Sequence, residues 1–177
     1  KILSLGGQIR FSSPLTRIRI EDGRVTWVEA GHGEWIETDD LILTVGHSAR
    51  DTFRQLHQMG IPMETKPYSM GFRIQHTQSW IDQAQYGKQT GLPPAEYKLS
   101  GRSSSGRGVY TFCMCPGGEV ISASSHPGCL VTNGMSYHAR DGRFANSGLL
   151  VDVRVSDFSS ESPLAGLEFQ EHYEQLA

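Results

Sequence analysis

The sequence lacks the motif that its glycine content invites. Twenty of its 177 residues are glycine, yet none stand in the GxGxxG spacing that closes a strand-to-helix turn over a dinucleotide pyrophosphate. Cysteine is scarce. Three in a chain of this length exclude a disulfide framework, and a reducing cytoplasm is the expected compartment. No apolar run approaches the roughly 20 residues of a membrane helix, and the N-terminus has no basic head with a long apolar core, so neither a membrane partner nor a secretory signal is expected. A net charge of -3 leaves no overall basic field for nucleic acid. There is also no starting Met; residues 1–5 read as the tail of a helix and residues 168–177 as a helix that should continue. The expectation is a fragment of a larger protein, inactive by itself.

What is present reads as strand-rich α+β. Two strand patterns, 15–20 and 24–30, flank Asp22-Gly23, the strongest short hairpin signal in the chain. A third short strand is expected at 35–38. The run Leu41-Ile42-Leu43-Thr44-Val45-Gly46 reads as a strand buried on both faces and ending in glycine. A helix follows, with Ser48 as its cap, and stops at Gly60. Farther on, 70–75 reads as a strand, 78–86 as a helix and 101–108 as a flexible loop. The strands expected beyond it are 109–114, 119–124, 130–132 and 149–155. The predicted division is 1–53, a hairpin plus buried strand, and 54–177, a mixed lobe.

Residues 107–153 hold the densest chemistry. Cys113 and Cys115 alternate on a strand pattern, which turns both sulfurs to one face. Pro116-Gly117-Gly118 reads as a tight hairpin. Asn133, Ser136, Arg140, Arg143 and Asn146 supply amide, hydroxyl and guanidinium groups suited to an anionic or carbonyl-bearing small molecule, although such residues also bond within their own turns. Upstream, Arg73, Gln75 and His76 alternate with apolar Phe72 and Ile74. A histidine there titrates near neutrality and is a candidate acid or base. The 101–108 loop spaces its glycines like a P-loop, but Arg107 and Gly108 stand where Lys and Ser/Thr are needed, and a strand follows instead of a helix, which excludes nucleoside triphosphate hydrolysis.

The runs YTFCMCPGGEVISAS and TNGMSYHARDGRFANSGLLVDV resemble the central region of a family of predicted FAD-dependent dehydrogenases, a branch of the two-dinucleotide-fold flavoproteins. The resemblance extends over nearly the whole chain. GFRIQH is similar to that family's Gly-x-Arg-x-Glu-His segment, with Gln75 in the place of Glu. The resemblance implies FAD in a full-length parent and oxidoreductase chemistry at its flavin. It places Thr44, Val45, Gly46 and His47 near the cofactor, as part of an FAD-domain segment over 1–53, and makes 54–177 a substrate or cap lobe. Arg73, Asn133, Arg140 and Asn146 become the substrate-binding candidates, and Cys113, Cys115 and His76 the catalytic ones. The glycine fingerprint is expected to lie outside the chain, so the fragment itself is expected to lack bound FAD. The expected partner is a small-molecule substrate; the oligomeric state stays open. For the cysteines two other readings stand. They pack as small buried residues, or Cys113 and Cys115 join His126 and Cys129 in a metal-stabilised, non-catalytic binding module.

Overall fold

The structure, a computed structural model, describes residues 1–177. The chain divides into two compact units, Lys1–Met63 and Glu64–Ala177. The content is α+β and strand-rich, with three sheets and three α-helices.

The first unit is an antiparallel meander in the order β1-β2-β3: β1 (Leu15–Glu21), β2 (Arg24–Ala30) and β3 (Glu34–Glu37). Asp22 and Gly23 sit at φ 51° and 77°. Two consecutive residues with positive φ make the turn whose twist matches that of the strands it joins. Across the β1–β2 pair, Arg17 grips Glu29 with both arms, Nε at 2.5 Å and Nη2 at 2.8 Å, and Thr16 Oγ1 donates to the same carboxylate. These bonds hold the Glu29 carboxyl below the usual carboxylate range, with the Arg17 hydrogen bond as the main cause. Helix α1 (Arg50–Gln58) follows. Ala49, rather than Ser48, takes the N-cap position, and Asp51 lies in the first turn.

The expected buried strand at 41–46 is not there. Those residues have no regular structure and pair with no strand, and Ile42 is 85% exposed. An apolar run becomes an interior strand only where other strands meet its N–H and C=O groups on both edges. None of the three strands of this unit does so.

The second unit is built on a four-stranded antiparallel sheet in the order β4-β9-β6-β5: β4 (Tyr68–Thr77), β9 (Phe144–Val153), β6 (Gly108–Cys115) and β5 (Ser100–Arg102). Strand β9 is central and largely buried, and its full length pairs with β4, from Tyr68 opposite Val153 to Thr77 opposite Phe144. A separate ribbon, β7 (Gly118–Ser122) with β8 (Thr132–Ser136), contacts the sheet through β4, β6 and β9. Pro116-Gly117-Gly118 therefore does not close a hairpin. It carries the chain from the large sheet into the ribbon, because β6 pairs with β5 and β9 while β7 pairs with β8. Gly117, at φ 58°, lies against the Arg140 carbonyl, where a Cβ would collide.

Helix α2 (Gln78–Tyr86) starts directly after β4 and folds back onto the sheet. Its Ile81 packs with Ala95 and Ala145, flanked by Tyr86, Tyr97 and Met114. Gln78 is buried and ties three segments together: its amide donates to Asp82 and to the Ala95 carbonyl, and its oxygen accepts from Gly117 N–H. The C-terminal α3 (Ala165–Leu176) docks through an aromatic run. Tyr68 stacks on Phe158, Phe158 meets Phe169 edge-on, and Tyr68 Oη donates to the Gly166 carbonyl at 2.8 Å. Burial, with the Glu174 charge second, pushes the Tyr68 phenol up to about 12. Within 101–108, residues 103–107 form a loop as expected, but the ends are strand, so the segment is not loop throughout. It is the β5–β6 hairpin, and Arg107 forms a two-pronged pair with Asp157 at 2.5 and 2.6 Å. No helix is long and apolar enough to cross a membrane.

Candidate functional site

Residue alternation along β4 assigns the candidates to sides of the sheet. Successive strand side chains point to opposite faces, so Arg73 and Gln75 share one face and Ile74 and His76 the other. Pairing carries this across the sheet. Arg73 lies opposite Gly148, Gln75 opposite Asn146 and His76 opposite Ala145. The groups expected to share one pocket thus sit on two faces of a single sheet.

On the first face, under the β7–β8 ribbon, Arg73 Nη1 donates to Asn146 Oδ1 at 2.5 Å and to the Cys113 carbonyl at 3.0 Å, with Cys115 Sγ at 3.9 Å. The Cys113 carbonyl is available because β6 bulges there. The register slips between Phe112 and Cys115, and Cys113 adopts φ 47°. A bulge inserts one residue and re-aims its neighbours. It also breaks the strict alternation that would have set both sulfurs on one face: Cys113 is exposed, Cys115 is half-buried toward Arg73, and the two form no disulfide, though Cys115 Sγ donates to the Cys113 carbonyl at 3.4 Å. Gly134 of β8 closes over this cluster, and a methyl group there would strike Arg73 Nη1, Asn146 Oδ1 and Cys115 Sγ. Asn146 is fully buried, and its Nδ2 has no acceptor. With one nitrogen of Arg73 so engaged, Nη2 and Nε make no hydrogen bond to the protein, and the guanidinium presents two oriented donors. Gln75 Oε1 on the same face accepts from Val120 N–H, which ties the ribbon down.

The remaining substrate-binding candidates are not gathered here. Arg140, at φ 52°, pairs with Glu96 at 2.5 Å, and both are exposed. Asn133 is exposed and accepts from the N–H of its own neighbour Gly134, which is the within-turn bonding of such residues. No hydrogen bond joins either to Arg73 or Asn146.

On the opposite face, His76 Nε2 meets Tyr97 Oη at 2.7 Å, and its ring lies against Trp80 and Tyr97 at centroid distances of 5.6 and 5.7 Å. Burial lowers the pKa of His76 and raises that of Tyr97. Neither Tyr97 nor Trp80 stood out as a functional residue in the sequence. The available signal was the register of β4 running directly into α2, which puts Trp80 one helical turn past His76.

In the first unit, Thr44, Val45, Gly46 and His47 are exposed and outside any strand. Gly46 has φ 70° with open space where a Cβ would stand, and His47 Nε2 contacts Ser48 Oγ at 3.2 Å. The four-ligand metal set is not assembled. No group of three or more His, Cys, Asp or Glu side chains is placed to hold an ion. Cys113 stands in the bulge, while His126 and Cys129 share a separate turn closed by Cys129 N–H to His126 O.

Comparison with known proteins adds two findings. Residues 67–177, nearly all of the second unit, match the family described as FAD-dependent protein, C-terminal domain-like. A protein of Clostridium beijerinckii, described as uncharacterized, is 46% identical over 181 residues; the alignment takes in 100% of this chain and 34% of that protein. The chain thus spans about a third of the length of the relative it matches.

Proposed function

This chain belongs to the family of FAD-dependent proteins with a C-terminal domain of this type, and from that premise we propose that it is part of an FAD-dependent oxidoreductase, a dehydrogenase of the two-dinucleotide-fold kind. The second unit forms its substrate-facing lobe. The first contributes a segment, Thr44 to His47, to the surroundings of the cofactor.

The observation that carries this reading is Arg73. A guanidinium held at one nitrogen by Asn146 and the Cys113 carbonyl, with two donors left open, suits a carboxylate or carbonyl oxygen. Asn146 is fully buried and acts as a positioning residue: it sets the angle of Arg73 and touches no ligand itself. Cys115 lines the same cluster.

The fit of FAD to these residues is partial. Gly46 leaves its backbone approachable, but the chain has no glycine-rich turn joining a strand to a helix that would take a pyrophosphate. The cofactor, when bound in the parent protein, supplies hydride transfer at its flavin. The residues of this chain bind and orient the substrate.

The test uses the full-length protein. It should be yellow, with the two visible absorption bands of oxidised flavin. Arg73→Ala should keep those bands while a panel of small carboxylates perturbs them about tenfold more weakly, roughly 1.4 kcal/mol of binding. A correctly folded, colourless full-length protein would sink the proposal.

A further inference from the structure

The face of the sheet turned away from Arg73 carries a cleft of about 560 Å³ between α2 and the strands. Its volume falls within the usual range of small-molecule sites. Ile74 and Leu99 line it with apolar surface, Trp80, Tyr97 and Tyr110 with rings, and Ala84 leaves it open along α2. Arg102 is the one ionised side chain in the lining, and no carboxylate reaches it. We propose that this cleft is a second binding site, for a flat aromatic ring bearing a carbonyl oxygen.

The ring belongs there because the walls are apolar and aromatic, and aromatic surfaces pack best against offset or tilted rings. The carbonyl belongs there because of the pair at the end of β4. His76 Nε2 and Tyr97 Oη share one hydrogen bond of 2.7 Å, in which the tautomer decides the donor. A neutral imidazole and a phenol hold two hydrogen-bonding protons between them, so the shared bond leaves one over, on His76 Nδ1 or on Tyr97 Oη. Burial lowers the pKa of His76, which favours the neutral ring. The cleft thus offers this spare donor and the Arg102 cation within a lining that is mostly apolar and aromatic but also holds Gln85, Ser100 and Thr111. Arg102, the one ionised group in the lining, favours a carbonyl oxygen over a cation, and a pure hydrocarbon leaves the spare donor unmet.

The inference does not rest on the flavin reading, because it concerns the other face of the sheet. The experiment is an NMR titration of the chain with acetophenone, and with ethylbenzene as its match without the carbonyl, followed at the Trp80 indole and Tyr97 amide signals. Acetophenone should shift both saturably, and ethylbenzene should bind at least about tenfold more weakly. Ala84→Trp fills the cleft from an exposed helix position and should abolish the shifts in a protein that melts normally. His76→Phe combined with Tyr97→Phe should erase the preference for the ketone, and Arg73→Ala should leave the titration unchanged. Absence of saturable shifts in the folded protein, equal binding of the two probes, or unchanged binding by Ala84→Trp would each overturn the proposal.

Discussion

Arg73 is held in a space that a single methyl group would destroy. Gly134→Ala puts a Cβ onto Arg73 Nη1, Asn146 Oδ1 and Cys115 Sγ together, so these side-chain ends must move and the cluster they form must loosen. Overpacking of this kind costs roughly 1–3 kcal/mol, so urea unfolding of Gly134→Ala should shift to lower denaturant by that amount. A variant as stable as the parent would show that the ribbon is loosely held over the sheet. At this scale the sequence was partly legible. The residue types were legible: a guanidinium, two amides and two thiols. The grouping was not. Arg73 and Asn146 meet, whereas Arg140 turns to Glu96 and Asn133 to its own neighbour. Residue type says what a side chain can bond, and the strand register decides what it reaches.

Secondary-structure elements were read best where local backbone chemistry sufficed. The Asp22-Gly23 hairpin and the helix over 78–86 need only turn conformation and helical spacing. Segment 101–108 was read as loop, which holds for 103–107 but not for its ends, which pair as strand. Its structure comes from pairing with β6 and from Asp157, which lies 50 residues from Arg107. That pair predicts a pH dependence. The Arg107 hydrogen bond, then the Arg154 backbone N–H, hold the Asp157 carboxyl at about 2, against 3.8 ordinarily. The folded state binds this proton less readily than the unfolded one. The contribution is therefore fully present above about pH 4 and is lost as pH falls from there through about 2. Asp157→Asn should lower the melting temperature at pH 6, and the gap to the parent should close as pH falls toward 2. A gap that stays constant over that range would count against the pair.

The two units give the molecule its expected mode of failure. Glu64–Ala177 has its own cluster around Ile81, Ala95 and Ala145 and its own aromatic dock for α3. Residues 64–177 expressed alone should unfold cooperatively in denaturant, with dispersed amide signals beforehand. A molten or aggregated product would show that the first unit is needed for its folding. The sequence by itself determined the α+β class, the hairpin, the helix behind β4 and the family resemblance, because these rest on turn chemistry, periodicity and residue identity along short stretches. Tertiary structure decided that 41–46 is not a strand, that the bulge at Cys113 separates the two thiols, and that Arg73 and His76 serve opposite faces of one sheet. Those outcomes depend on which distant backbone groups meet, and no short window of sequence contains both partners.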